Sequence, residues 1–358
     1  MIRIRLEHSG FAIALALTLG CSGADARIEA RRAAPPEHSV VMAERLDLAR
    51  LDSAYARAAR LPRLRSLLVQ WKGQIVRERY YGGATQSTRA NIKSASKSVM
   101  SALVGIAISQ GEIRGLDQTI GELLPAETRG LDAQKRSIKV GDLLSMRSGL
   151  QSTSFDNYGS WVTSRNWVQN ALSRPMVAEP GGRMVYSTAS SHLLSAMITR
   201  ATGMSTHRFA ERYLARPLGI EVRPWQRDPQ GIYFGGNDMY LTPRAMLKIG
   251  TLYLDGGAVN GRQILPREWV DSSLVPRTVS PFNGNGYGYG WWTRNANGVA
   301  IHYAWGYGGQ FIFIVPTLDL VIVTTSDANA PREGGHTREL HRIAEEELVP
   351  AVSASAAR

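Results

Sequence analysis

Ser94 and Lys97 stand three residues apart in the run Asn91-Ile92-Lys93-Ser94-Ala95-Ser96-Lys97-Ser98-Val99-Met100-Ser101-Ala102-Leu103-Val104-Gly105-Ile106-Ala107. The pattern after Ser94 predicts a helix over 95–110, ended by Gly111. Three residues is almost one helical turn, so the hydroxyl and the amine share a face. The helix is apolar nearly all round and should be buried. Desolvation disfavours an ammonium and lowers its pKa. A neutral amine can take the proton of a serine hydroxyl, which is otherwise too weak a nucleophile. Backbone N–H groups at the helix start can stabilise an oxyanion. Alone, the spacing is weak, since a capping serine and a snorkelling lysine give the same letters. It occurs once here, at the head of the most apolar helix.

Two further runs bear on the same chemistry. Tyr186-Ser187-Thr188 follows the turn Pro180-Gly181-Gly182 and opens the apolar helix 192–202. A tyrosine at such a strand-to-helix junction could share a proton relay with Lys97; the plain alternative is a half-buried aromatic. Trp305-Gly306-Tyr307-Gly308-Gly309-Gln310 then leads into the apolar run Phe311-Ile312-Phe313-Ile314-Val315-Pro316. Glycines there let a strand backbone approach a ligand closely, although a bulged edge strand would read the same way.

In order and context these runs resemble the serine β-lactamase and penicillin-binding-protein superfamily, whose signatures are Ser-x-x-Lys, Tyr-x-Asn or Ser-x-Asn, and Lys-Thr-Gly. The sequence looks most like its branch of β-lactamase-related hydrolases and esterases, which includes 6-aminohexanoate-dimer hydrolases. Gly141-Asp142-Leu143-Leu144-Ser145-Met146-Arg147-Ser148-Gly149-Leu150, Tyr240-Leu241-Thr242-Pro243-Arg244, Gln263-Ile264-Leu265-Pro266 and Gly288-Tyr289-Gly290-Trp291-Trp292 carry the likeness across roughly 65–350. The resemblance implies an α+β fold of the β-lactamase/transpeptidase-like kind. It makes Ser94 the acylated nucleophile, Lys97 its general base and Tyr186 a proton shuttle. Counted back from Pro316, Ala304-Trp305-Gly306 takes the place of Lys-Thr-Gly. Tyr307 would then give its backbone N–H to an oxyanion hole beside that of Ser94. Trp305, Gly306 and Gly308 would contact substrate.

The departures narrow the chemistry. Thr188 stands where many relatives have Asn, Ala304 replaces the cationic Lys, and Trp305 replaces Thr. That Lys and Thr help bind the carboxylate of β-lactams and peptidyl-D-Ala termini in the family. Their absence argues against efficient β-lactamase or D,D-carboxypeptidase action and leans toward esters or small amides on an apolar face. No separate carboxylate base for deacylation is evident. The alternatives are a D,D-peptidase or β-lactamase, or a penicillin-binding-like protein with little or no turnover.

These residues need elements to hold them. A helix is expected over 46–60, a strand-turn-strand hairpin over 67–80, helices over most of 113–227, and a helix over 242–255 with Thr242 as N-cap and Pro243 at its first position. Strands follow at 288–292, 310–315 and 320–325, then a helix at 336–348. The order predicts an antiparallel sheet of about five strands with helices on both faces. Residues 46–112 and 228–350 would form the sheet domain and 113–227 a helical domain, with Tyr307 on the edge strand.

Composition fits. The 358 residues are 44% hydrophobic and 20% charged, enough for a large core. Arg3 and Arg5 precede an apolar run, Phe11 to Leu19, too short to span a bilayer. Residues 1–26 read as a signal peptide cleaved after Ala24-Asp25-Ala26, and 27–45 as a linker, so the protein is expected to be exported, periplasmic or secreted. Alternatively Leu19-Gly20-Cys21 resembles a lipoprotein box, and membrane anchoring would follow only if Cys21 were lipidated; Thr18 stands where that box usually has Leu. Cys21 is the only cysteine, so no disulfide framework or thiolate metal site can form. The net charge of +12 comes from scattered Arg, with no basic run or nucleic-acid motif, and no nucleic-acid partner is expected. Gly-x-Ser-x-Gly, His-Glu-x-x-His and phosphate or dinucleotide loops are all missing, and no metal or organic cofactor is expected. His302 reads as a satisfied strand histidine.

Overall fold

The computed structural model describes residues 46–330 and 334–353. The expected leader, linker and Cys21 lie outside the described residues. Eight strands form one sheet: β1 (Leu64–Trp71), β2 (Gln74–Tyr80), β3 (Thr278–Val279), β4 (Gly286–Tyr287), β5 (Trp292–Ala296), β6 (Val299–Gly306), β7 (Gln310–Val315) and β8 (Leu320–Ser326). Their order is β2-β1-β8-β7-β6-β5-β4-β3, so strands from the two ends of the chain pair with each other, β1 against β8. Each neighbouring pair is antiparallel. This is the expected α+β class, with three differences in detail. Eight strands replace the expected five: β3 and β4 are two residues each and too short to show an alternation, and the extent of β6 was not anticipated. Residues 288–291 form a turn rather than a strand, and pairing resumes at Trp292. The strand leading to Tyr307 is interior rather than at an edge: β6 lies between β5 and β7.

Alternation along the strands sends side chains to opposite faces. Phe311, Phe313, Leu67, Val69 and Ile322 pack under α1 (Leu48–Ala58) and the C-terminal helical segment that begins at His336. Ile312, Ile314, Val321, Val323 and Leu68 face the other core, shared with α2 (Ser96–Ser109), α3 (Thr188–Thr202) and α4 (Pro243–Leu254). Because both faces are covered, β7 is buried along its whole length. Thr242 caps α4 by accepting from Ala245 N–H at 3.2 Å, with Pro243 opening the helix as expected. Residues 113–227 contribute the fifteen-residue helix α3, several shorter helices and no strand of the large sheet. Among the described residues no helix is long and apolar enough to cross a membrane.

The helix α2 is the hub. Every residue from Ser96 to Ala107 is buried. Its Gly105 faces Trp269, which leaves no space for a side chain: a Cβ there would come within 2.6 Å of the indole ring. Alanine is the better helix former by about 1 kcal/mol, yet Gly105→Ala is expected to destabilise by about 1–3 kcal/mol through overpacking. Urea unfolding of the two proteins measures this; an unchanged or raised midpoint would contradict the packing.

Candidate active site

Ser94 lies in a short 3₁₀ turn, Lys93–Ala95, that runs directly into α2. The turn is held on both sides. Ile92 N–H donates to Met239 O at 2.9 Å. The Ile92 carbonyl packs on Gly306 at the end of β6, where a Cβ would come within 2.0 Å of it. Register explains the access: β5 pairs with β6 only as far as Tyr303, so Ala304–Gly306 face the Ser94 turn where a strand would otherwise continue. Lys93 adopts φ +50° and Asp238 φ +61°, both in the left-handed region that side chains disfavour. The two meet: Lys93 Nζ lies 3.6 Å from Asp238 Oδ1, which also accepts from Asn91 Nδ2 at 2.6 Å. Asn91 Oδ1 accepts from Lys93 N–H at 3.0 Å. This polar bracket compensates the backbone strain beside Ser94.

Lys97, in the first turn of α2, is 3% exposed. Its Nζ lies 3.0 Å from Ser94 Oγ and 2.6 Å from the carbonyl of Gly236. Burial alone pushes its pKa down from 10.5 to about 7. Gly236 has no room for a side chain, since a Cβ would sit 2.9 Å from Thr188 and 3.2 Å from the lysine nitrogen. The stretch that delivers this carbonyl is itself anchored. Asp228 Oδ1 accepts from Gln230 and Ile232 N–H at 2.9 and 2.8 Å, while its Oδ2 pairs with the fully buried His192 at 3.0 Å.

Tyr186 precedes α3, with Ser187 as the N-cap, in an extended loop rather than a strand. Ser152 Oγ donates to its carbonyl at 2.7 Å, and Ser187 Oγ accepts from Thr153 N–H at 3.1 Å. The Tyr186 ring stacks on Trp292 at 5.9 Å and lies 5.3 Å from Lys97 Nζ. Burial raises its pKa to about 12, opposed by a hydrogen bond with Ser94. The hydroxyl of Thr188, in the expected Asn position, is engaged by Ser154 Oγ at 2.8 Å. The amine of Lys97 therefore finds its second partner in a backbone carbonyl.

Trp305 ends β6 beside Gly306, and Tyr307 lies in the following turn rather than on a strand. Gly308 adopts φ +86° in that turn, and a Cβ there would meet Ala328 at 2.9 Å. Ser94, Tyr186, Trp305 and Tyr307 line one pocket of about 340 Å³. Ala304 is fully buried and offers no cation. His302 pairs its Nδ1 with Thr293 Oγ1 at 2.9 Å, and burial lowers its pKa to about 4. It does not line the pocket, in keeping with a satisfied strand histidine. A larger cleft of about 540 Å³, between Asp117, Lys139, Asp142, Arg147 and Arg277, does not include Ser94.

Five residues of this region escaped the sequence reading as site residues. Gly236 acts through a carbonyl; the Gly235-Gly236 pair was its only signal. Phe155, Phe282, Asn283 and Trp292 complete the pocket wall. A lone Phe within Pro281-Phe282-Asn283-Gly284 could have marked the second of these, since an aromatic in such a turn has no core to serve.

The family model described as beta-lactamase matches residues 65–346. A 6-aminohexanoate-dimer hydrolase of Paenarthrobacter ureafaciens is 26% identical over 336 residues, covering 82% of this chain and 81% of that protein. Two solved structures share the fold. A penicillin-binding protein homolog from Caulobacter crescentus superposes with a TM-score of 0.69 at 15% identity, covering 86% of this chain and 97% of that one. EstCE1, described as a hydrolase with promiscuous acyltransferase activity, gives a TM-score of 0.68 at 17% identity, covering 83% and 97%.

The buried amine has a consequence for stability. Between its folded pKa of about 7 and the ordinary 10.5, the unfolded chain holds a proton that the folded chain has released. Stability from this group therefore rises with pH through that window, by at most about 1.4 kcal/mol per pH unit, and the cost of the buried charge is complete below pH 7. Lys97→Met should raise the melting temperature most below pH 7, with the gain shrinking toward pH 10. Thermal unfolding across pH tests this; a gain independent of pH would contradict a buried, readily neutralised amine.

Proposed function

The chain belongs to the beta-lactamase family of serine hydrolases, and on that premise we propose that it cleaves an ester or small amide through an acyl-enzyme on Ser94. The observation that carries this reading is the 3.0 Å approach of a buried, carboxylate-free Lys97 amine to Ser94 Oγ. Near neutral pH a good part of that amine is unprotonated and can accept the hydroxyl proton. As it does, Ser94 Oγ bonds to the substrate carbonyl carbon and the carbonyl π electrons move to oxygen. The backbone N–H groups of Ser94 and Tyr307 are the proposed donors to that oxyanion. Collapse breaks the bond to the alkoxide or amine, which leaves with a proton handed on from Lys97 through Tyr186. Water then attacks the acyl carbon, giving its proton to Lys97, and Ser94 Oγ departs with a proton as the acid is released. One water is consumed, and an acid and an alcohol or amine are formed.

The pocket's composition supports neutral substrates. No charged side chain lines it, and the position expected for a carboxylate-binding cation is the buried Ala304. A β-lactam or peptidyl carboxylate would be desolvated there without a partner, a large cost. The name of the Paenarthrobacter relative fits the amide side of the proposal, and the description of EstCE1 as a hydrolase with acyltransferase activity fits acyl transfer.

Hydrolysis of p-nitrophenyl acetate and butyrate by the full chain, with nitrocefin in parallel, tests the proposal. Ester turnover should greatly exceed nitrocefin turnover and rise with pH through about 7 as Lys97 deprotonates. Ser94→Ala and Lys97→Ala should each lower kcat/KM by at least about 10³-fold, since nucleophile and base act as a unit. Comparable rates in wild type and Ser94→Ala would refute the assignment. Labelling of Ser94 without release would favour the non-turnover alternative.

A further inference from the structure

Six aromatic side chains line the pocket: Phe155, Tyr186, Phe282, Trp292, Trp305 and Tyr307. The two other lining residues are Ser94 and Asn283, so the wall contains no aliphatic and no charged side chain. Both cores of this protein, in contrast, draw heavily on Leu, Ile and Val. Apolar area alone would be supplied as well by those residues. A wall made only of rings offers something more specific, because ring faces are electron-rich and ring edges electron-poor. A flat aromatic guest can match both by offset or edge-to-face contact, and a puckered aliphatic ring of the same size cannot.

The rings form a continuous series from the surface inward. Phe155 and Phe282 meet at 5.4 Å between centroids, tilted by 53°. Phe155 lies 6.3 Å from Tyr186, Tyr186 stacks on Trp292 at 5.9 Å, and Trp292 meets Trp305 edge-on at 5.7 Å. The outer pair has no part in either core: Phe155 is 63% and Phe282 66% exposed. Phe155 also adopts φ +56°, costly for a bulky side chain, and no core contact compensates it. Phe282 is held out by an ordered turn in which its N–H donates to Ser280 Oγ at 3.2 Å. Two exposed phenylalanines, one of them strained, are thus presented from chain-distant loops at the mouth of the pocket that holds Ser94.

We propose that the substrate hydrolysed at Ser94 carries an uncharged aromatic ring, which seats against Phe155, Phe282 and Trp292. This inference rests on the hydrolase reading and adds the class of substrate. The ring belongs to either the acyl or the alcohol half of the ester, and one experiment separates the two. Acid release by the full chain is followed in a pH-stat with two matched pairs of neutral esters. Methyl phenylacetate against methyl cyclohexylacetate places the ring on the acyl side; benzyl acetate against cyclohexylmethyl acetate places it on the alcohol side. Within each pair the leaving groups are of one type, so the ratio of kcat/KM reads recognition of the ring.

In one pair the aromatic ester should be favoured by about tenfold or more. Phe155→Leu and Phe282→Leu, which keep apolar area but remove a ring, should each cut that ratio by about threefold or more. The ratio is internal to each variant, so loss of folded protein does not move it. Ratios near one in both pairs, or a preference untouched by either substitution, would overturn the inference while Ser94-dependent turnover left the hydrolase reading in place. Turnover that persisted in Ser94→Ala would remove that reading and the inference with it.

Discussion

Removing the ammonium of Lys97 from water, with no carboxylate beside it, is the constraint around which this molecule is arranged. Depressing a lysine from 10.5 to about 7 corresponds to charge disfavoured by several kcal/mol. An isolated small helix could not bear that cost. Here α2 is enclosed along its length from Ser96 to Ala107, and the apolar surface buried with it offsets the loss. The neutral amine still needs hydrogen-bond partners, and it has two, Ser94 Oγ and the carbonyl of Gly236. The same burial that weakens the lysine as a cation suits it to the proposed role of base.

That arrangement requires three chain segments to reach one helical turn. The end of β6 approaches through Gly306, the 228–236 stretch through Gly236, and the Ser94 turn accepts left-handed backbone at Lys93. At the first two, any Cβ would meet a carbonyl or another heavy atom at 2.9 Å or less. The buried His192–Asp228 pair ties the 228–236 stretch to α3, the helix that begins just after Tyr186. One stretch thus connects the supports of the proposed base and of the proposed proton shuttle. Small displacements there would move both together.

What could be read from the sequence follows from the range of each interaction. The Ser94–Lys97 relation is local, fixed by helical geometry, and so were the capped helix α4 and the apolar run of β7. The α+β class followed from element order. The extent and interior position of β6 were not anticipated, because His302 and Gly306 interrupt its apolar pattern, and Tyr307 was placed on a strand when it lies in a turn. Gly236 contributes a carbonyl from 139 residues away, which no side-chain pattern announces. Phe155 and Phe282 acquire meaning only when two distant loops meet.

Environment also divides the labour within the site. Two groups beside Ser94 can exchange protons, and the protein drives them in opposite directions: the amine down to about 7, the phenol of Tyr186 up to about 12. At neutral pH the amine is therefore partly free and the phenol fully protonated. In the proposed mechanism this assigns the first proton transfer to Lys97, because a tyrosinate would be too scarce to serve as the base. It assigns to Tyr186 the handing of a proton to the leaving group, which needs a neutral phenol within reach of both Ser94 and the amine. With no carboxylate lining the pocket, the amine must regain its neutral form before water attacks. The leaving group carries that proton away, so acylation itself resets the base for deacylation, and a single lysine can serve both halves of the cycle.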